Sequence, residues 1–225
     1  MSGLSLIDPE RSALLVMDFQ VDVLTKSMTE AQAAEAIACI PDLLVAARST
    51  GMMVIHVIVA FRPGYPEVSH LNPTFAEAQA HGLMLADSEG ARIHPAASAR
   101  GDEPIVVKHR ISPFVETDLA MLLRANAVDT LVLAGVHTSG VVLSTVRHAA
   151  DLDFRIIVAR DCCADPDPEV HAMLLDRVIA KQATVVTMVA VSSAVCRNCS
   201  IMPTIERRRR RGLNAANAGG VNGRM

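Results

Sequence analysis

The chain has 225 residues, of which 51% are hydrophobic and only 3% aromatic, so an aliphatic core fits one α/β domain with an extension. Its net charge of −3 is unevenly divided, because residues 1–195 carry −9 and residues 196–225 carry +6; the acidic body argues against nucleic-acid binding by the folded domain. No apolar run reaches the roughly 18 residues of a membrane span, no signal peptide is visible, and five irregularly spaced cysteines fit a reducing compartment, so we expect a cytoplasmic protein with no membrane partner.

Short apolar strands alternate with amphipathic helices along most of the chain. The sequence predicts strands over residues 12–19, 52–61, 104–109, 130–135, 154–160 and 184–189. It predicts helices over 29–50, where Pro41 kinks the helix or starts its second half, and over 116–125, 139–150 and 168–181. Residues 62–104 form an irregular excursion with a short helix near 73–81. This order predicts a three-layer, doubly wound Rossmann-like α/β fold with a mostly parallel six-stranded sheet.

The end of the chain differs in composition from the body. A run of five arginines, 207–211, and an Asn/Ala/Gly-rich end follow a CRNC segment at 196–199, and no periodic apolar face is present. We therefore predict one domain over residues 1–191 and a basic, disordered tail over 192–225. Two cysteines in CRNC are half a zinc site at best.

Ligands of open parallel sheets bind at the carboxyl ends of the strands. Asp18 ends the first predicted strand and Lys108 the third, so the two are expected to form an ion pair at one edge of the sheet. Partial burial of such a pair shifts both pKa values, in directions that sequence does not give. The pair serves either as an acid–base centre or as a structural ion pair.

The turn after the fourth strand is the most informative segment. Its sequence, GVHTSGVVLST, passes from a buried strand directly into a helix through small residues. A cysteine in the first turn of such a helix would have a lowered pKa, because it lies near free N–H groups and the positive end of the helix dipole. The same N–H groups stabilise an oxyanion.

Four blocks of the chain resemble the isochorismatase-like cysteine hydrolase family: LLVMDFQ, VVKHRISPF, TLVLAGVHTSGVVLSTVRHAAD and ARDCCADPDPEVHAMLL. The resemblance extends from about Ser12 to Val189. It implies a small-molecule substrate, no cofactor, a homo-oligomer (dimer or tetramer), and a catalytic Asp, Lys and Cys. The Asp matches Asp18, the Lys matches Lys108, and the cysteine position is Val141. The resemblance also implies a cis peptide at Val136–His137, which would expose donors to an oxyanion.

The side chain of Val141 has no lone pair, so a thioester route is closed at this position. Three interpretations stay open. The chain is a hydrolase of an amide, another C–N bond or a vinyl ether with Asp18 as acid or base. For a vinyl ether, the substrate of true isochorismatases in the family, protonation by an aspartic acid needs no thiol. Alternatively it is a pseudoenzyme or small-molecule-binding protein that keeps the family pocket, or the valine is a variant of a cysteine parent.

Other residues near the strand ends are weaker candidates. Cys163 is a possible thiol but is more simply a packed small residue. His137 lines the pocket mouth or acts as an acid–base residue, and Ser139 and Thr138 have no histidine base that sequence identifies. With His137, the residues predicted to bind substrate are Phe19, Gln20 and Phe114.

We predict no metal site. Relatives that act on nicotinamide bind zinc through an Asp-x-His pair after the second strand, and the segment HVIVAFRPGYPEVSH lacks that pair. His56 is expected to be a strand residue and His70 a surface residue.

Overall fold

A six-stranded parallel sheet forms the centre of the molecule in a computed structural model that describes residues 7–201, the side chains of 196–201 excepted. The strand order is β3-β2-β1-β4-β5-β6, which confirms the doubly wound fold and the parallel sheet. The strands are β1 (Ser12–Met17), β2 (Met53–Val59), β3 (Ile105–Lys108), β4 (Thr130–Val136), β5 (Arg155–Ala164) and β6 (Thr184–Val186).

Eight α-helices accompany the strands in the described part of the chain. They are α1 (Val21–Ser27), α2 (Glu30–Ala38), α3 (Ile40–Thr50), α4 (Pro73–Ala80), α5 (Leu119–Ala125), α6 (Leu143–Asp151), α7 (Pro168–Met173) and α8 (Met188–Ile201). Pro41 lies in the first turn of α3, where its missing N–H costs no hydrogen bond, so it starts the second half of the predicted 29–50 helix. Gly51 ends α3 with a φ of 77°, a conformation that favours glycine.

The core has one apolar cluster on each face of the sheet. Every residue of β1 is buried, because helices cover both faces. Leu14 and Val16 belong to the cluster shared with α2, α3 and α8, whereas Leu15 and Met17 belong to the cluster shared with α5 and α6. Each such side chain contributes about 1.5–3 kcal/mol by its burial.

The last strand is shorter than the sequence predicts, and a helix follows it. Residues 184–189 were predicted as a strand, but β6 ends at Val186 and α8 follows from Met188. The predicted boundary at 191/192 falls inside α8, where Val191, Ala194 and Val195 are buried. Their helical spacing places them on one face, against α3 and the core. The five-arginine run and the CRNC side chains lie outside the described residues. Within residues 7–201, no helix is long and apolar enough to cross a membrane.

The excursion between β2 and β3 folds back over the carboxyl edge of the sheet. It contains α4, as predicted near 73–81, and a short 3-10 turn at Pro95–Ala97. An aromatic cluster of Phe61, Tyr65 and Phe75 forms its own small core. The excursion therefore builds one wall beside the strand ends.

Candidate active site

Asp18 and Lys108 form a buried ion pair at the carboxyl edge. Lys108 is the last residue of β3, and Asp18 follows β1 with a φ of 60°, a left-handed conformation that aspartate tolerates better than most residues. Lys108 Nζ lies 2.8 Å from Asp18 Oδ2. Asp18 is 6% exposed and Lys108 2%. The ion pair expected from the strand ends is thus present, across the neighbouring strand β2.

The two oxygens of Asp18 have different surroundings. Oδ2 contacts Lys108, whereas Oδ1 is buried without a hydrogen-bond partner among the described residues. Burial raises the pKa of Asp18 above its ordinary value, and the charge and hydrogen bond of Lys108 only partly offset this. The arrangement favours a carboxyl group that holds a proton at higher pH than a surface aspartate does, with one oxygen available to a ligand.

The turn after β4 has the features predicted for an active-site turn. The Val136–His137 peptide bond is cis, and a π-helical turn, Thr138–Val142, leads into α6. π turns occur frequently at functional sites. A Cβ atom at Gly135 would lie 3.1 Å from Val142 Cγ2 and 3.2 Å from Met17 Cβ, so this glycine lets the turn approach the end of β1. The turn is thereby held beside the residue that precedes Asp18.

Val141 lies inside this turn and is 2% exposed. Its side chain belongs to the apolar cluster that also contains Phe114 and Val142. Its carbonyl oxygen accepts a hydrogen bond from Thr145 Oγ1 at 2.6 Å. The position supplies packing and no nucleophile.

The two cysteines near the end of β5 are not reactive thiols. Burial raises the pKa of Cys163 to about 12, although a backbone hydrogen bond at Gly135 lowers it slightly, and burial also raises the pKa of Cys162. Both side chains are buried. A thiol that stays protonated at neutral pH is a poor nucleophile, so Cys163 is a packed residue.

Thr138 and Ser139 are tied to neighbouring groups. Thr138 Oγ1 lies 2.8 Å from His171 Nδ1 and 3.2 Å from the carbonyl oxygen of Ala164, and its residue is fully buried. The Ser139 N–H donates to Asp165 Oδ2 at 2.7 Å. The sequence does not identify His171 as the histidine partner of Thr138. The Thr138 hydroxyl that it contacts is fully buried and therefore inaccessible to solvent.

A cavity of about 580 Å³ opens beside the turn. Its wall is built by α1, α4 and the turn, with the polar groups Asp22, Lys26, Ser27, Thr74, Glu77, His81 and His137. Ser27 Oγ lies 2.6 Å from His137 Nε2. Burial lowers the pKa of His137; the Asp165 carboxylate opposes that shift, and the charge of Lys108 adds to it. Asp18 and Lys108 do not line this cavity, whereas His137 lines it and also experiences the charge of Lys108.

The other three predicted substrate-binding residues have structural contacts. Gln20 is fully buried; its Nε2 donates to the carbonyl oxygens of Val59 and Ala91, and its Oε1 accepts from the Val59 N–H. Phe19 is 2% exposed in the cluster beneath α2 and α3. Phe114 packs against His148, with ring centroids 4.9 Å apart. None of the three lies among the residues that line the 580 Å³ cavity.

The histidines considered for metal binding have the strand and surface positions predicted for them. His56 is a buried β2 residue, as predicted, and its Nε2 lies 3.0 Å from Glu103 Oε2. His70 is exposed, also as predicted. Among the described residues, no three His, Cys, Asp or Glu side chains group together as a metal site would require.

The protein therefore has a three-layer α/β fold, and at the carboxyl edge of its sheet a buried Asp–Lys pair lies beside a cis-peptide turn. Residues 12–190 match the Isochorismatase domain family, so the chain belongs to the isochorismatase family of hydrolases. The chain is 30% identical over 79% of its length to a maleamate amidohydrolase of Pseudomonas putida, covering 83% of that protein. It is 29% identical over 80% of its length to a probable isochorismatase of Pseudomonas chlororaphis, covering 84% of that protein. An isochorismatase family protein of Burkholderia thailandensis shares the fold, with a TM-score of 0.75 and 23% identity, over 86% of this chain and 99% of that one.

Proposed function

We propose that the chain is a cysteine-free hydrolase of a small molecule in which Asp18 is the general acid. One observation carries the proposal: Asp18 is buried with a raised pKa and an unpartnered Oδ1, beside a turn whose nucleophile position is Val141. A carboxyl group of this kind donates protons, and the missing thiol excludes covalent catalysis at that position.

Among the reactions that the family implies, hydrolysis of a vinyl ether fits this site best. Protonation of the terminal carbon generates an oxocarbenium ion that water attacks, so no enzyme nucleophile is needed. Lys108 keeps Oδ2 oriented and stabilises the aspartate left after proton transfer, since it lies 2.8 Å from that oxygen. Hydrolysis of an amide without a thiol would need an activated water instead.

The test compares three proteins on two substrates. The unmodified chain, Asp18→Asn and Val141→Cys are assayed with isochorismate and with maleamate. We expect the unmodified chain to hydrolyse isochorismate. The kcat of Asp18→Asn should be at least about 10²-fold lower, because a general acid contributes a rate enhancement of that size. Activity that appears only in Val141→Cys, and only on maleamate, would contradict the proposal.

A non-catalytic role is the second candidate, favoured by the burial of Val141 in the apolar core. In that case the 580 Å³ cavity would bind a small molecule without turnover. Thermal stabilisation by isochorismate or maleamate, with neither consumed by any of the three proteins, would identify this role.

A further inference from the structure

The hydrogen bond between Ser27 and His137 fixes the position of a hydrogen atom. Ser27 Oγ lies 2.5 Å from the Val23 carbonyl oxygen and 2.6 Å from His137 Nε2. A serine hydroxyl has one hydrogen, and a carbonyl oxygen only accepts. Two oxygens 2.5 Å apart repel each other unless a hydrogen lies between them, so the Ser27 hydrogen points to Val23. His137 Nε2 must then carry the hydrogen of the second bond.

The charge state of His137 determines whether its other ring nitrogen, Nδ1, carries a hydrogen. Burial and the Lys108 charge lower the pKa of His137, against the opposing effect of Asp165, so the ring is neutral at physiological pH. The other titratable groups that line the same cavity are Asp22, Lys26, Glu77 and His81. A neutral imidazole carries a single hydrogen, and here Nε2 holds it. Nδ1 is therefore a bare proton acceptor.

We propose that His137 is the general base of the site, with Nδ1 accepting a proton from the attacking water, and that Ser27 is a positioning residue that holds the ring in the Nε2–H form. The inference rests on the proposed function and adds its second proton-transfer group. Both residues line the cavity: Ser27 lies on α1 and His137 lies in the cis-peptide turn.

The protons balance over one reaction cycle. Asp18 gives its proton to the terminal carbon of the vinyl ether, and the oxygen of water bonds to the resulting cationic carbon while a water proton passes to His137 Nδ1. His137 then gives this proton to the leaving ether oxygen as the C–O bond breaks. The hydroxyl proton of the hemiketal returns to Asp18 as the carbonyl forms. Both residues end the cycle as they began it.

The tautomer is tested directly by NMR of protein labelled with 15N-histidine. We expect the His137 signals of the unmodified chain to show a protonated Nε2 and an unprotonated Nδ1. Ser27→Ala should weaken that preference, because one hydrogen bond to Nε2–H is lost, and Ser27→Thr should keep it because the hydroxyl is retained. A protonated Nδ1 in the unmodified chain, or an unchanged preference in Ser27→Ala, would overturn the inference.

Kinetics with isochorismate test the role in proton transfer. His137→Gln should lower kcat by about 10²–10⁴-fold with a smaller change in KM. Ser27→Ala should lower kcat by about tenfold, as expected for one hydrogen bond lost from the tautomer equilibrium, with recovery in Ser27→Thr. The acidic limb of the pH profile of kcat should shift in Ser27→Ala, because that limb reports the pKa of the general base in the substrate complex. His70→Gln, an exposed histidine away from the cavity, serves as the control.

The two proposals fail in different ways. Turnover that depends on Asp18 but is unaffected in His137→Gln would overturn the role of His137 and leave the proposed function intact. Turnover that is absent, or that survives Asp18→Asn, would overturn the proposed function, and the role of His137 as its base falls with it. The NMR measurement does not depend on turnover, so it shows whether the assigned tautomer is correct even when the assigned reaction is not.

Discussion

Two charged clusters lie at opposite edges of the sheet, one around the buried Asp18 and one around the partly buried Glu103, and they differ in how completely the carboxylate is paired. At the carboxyl edge, Asp18 has one ion pair and an unpartnered oxygen. Near the amino end of β3, Glu103 accepts from Arg48 Nε and Nη2 at 2.7 and 2.8 Å, from the Arg100 N–H at 2.8 Å, and contacts His56 Nε2 at 3.0 Å.

The pKa values of the two acids differ accordingly. Burial alone would raise both, and it does raise the pKa of Asp18. At Glu103 the hydrogen bonds from Arg48, Arg100 and His56 outweigh burial and lower the pKa to about 2. A fully paired carboxylate stabilises the fold and is chemically inert, whereas an incompletely paired one keeps an oxygen and a proton for a ligand.

The largest expected effect is on activity at the carboxyl edge. Asp18→Asn/Lys108→Met should lower kcat for isochorismate by about 10³-fold or more, because the general acid is removed. Its free energy of unfolding should fall by no more than about 1–3 kcal/mol, because no buried charge is left unpaired but the asparagine amide loses its partner. Chemical denaturation and steady-state kinetics measure the two effects.

The matched control changes the exposed pair Arg11–Asp129 to Met and Asn. This variant should alter neither kcat nor the free energy of unfolding. A large loss of stability in the first variant would make the Asp18–Lys108 pair structural.

At the amino end, Glu103→Gln should lower the free energy of unfolding by about 3 kcal/mol. It leaves the guanidinium of Arg48, which is 15% exposed, without its carboxylate. Urea denaturation measures this change. Glu35→Gln, at an exposed glutamate, is expected to stay within about 0.5 kcal/mol of the unmodified chain. If kcat fell together with stability in Glu103→Gln, the separation between the two edges would be wrong.

Acid should affect the Glu103 cluster in a defined pH window. The pKa of Glu103 in the folded chain, about 2, is below the unfolded value of 4.5, so its contribution is complete above pH 4.5 and is lost as pH falls toward 2. The loss amounts to at most about 3 kcal/mol. Burial also lowers the pKa of His56, which removes stability in the same direction, beginning near pH 6.5. Denaturation midpoints from pH 7 to pH 2 should converge for the unmodified chain and Glu103→Gln. Parallel curves would contradict this assignment.

The smallest expected effect is at Val141. Val141→Cys replaces a buried side chain by one of similar size, so the free energy of unfolding should change by less than about 1.5 kcal/mol. Val141→Ala leaves a cavity and should cost more. Thermal denaturation of both variants distinguishes them. An equal cost for the two would indicate that the turn tolerates voids and that packing does not fix its shape.

The sequence predicts the sheet and the Asp18–Lys108 pair because both depend on periodic, local signals. Apolar runs identify the strands, and a parallel sheet brings their carboxyl ends to one edge. The cis peptide at Val136–His137 was implied by the family resemblance and is present. The cytoplasmic location, the homo-oligomer and the catalytic roles stay predictions.

Features that depend on distant partners were not predictable. Ser27 lies on a helix of seven residues, too short for a periodic signal, and its partner is 110 residues away. Gln20 looks like a polar residue at a pocket mouth, yet its amide is buried among backbone groups. Val191, Ala194 and Val195 are a small apolar face next to a polar tail, and only their contact with α3 reveals them as core.

The amide of Gln20 also sets where this protein can be redesigned. One side chain joins the end of β2 to the excursion, two residues after Asp18, with its oxygen and its nitrogen both engaged. A glutamate there would aim an acceptor at two carbonyl oxygens. A library that seeks new substrates should therefore leave Gln20 fixed and diversify the α1 and α4 wall, where Lys26, Thr74 and Glu77 face the cavity without holding the strands together.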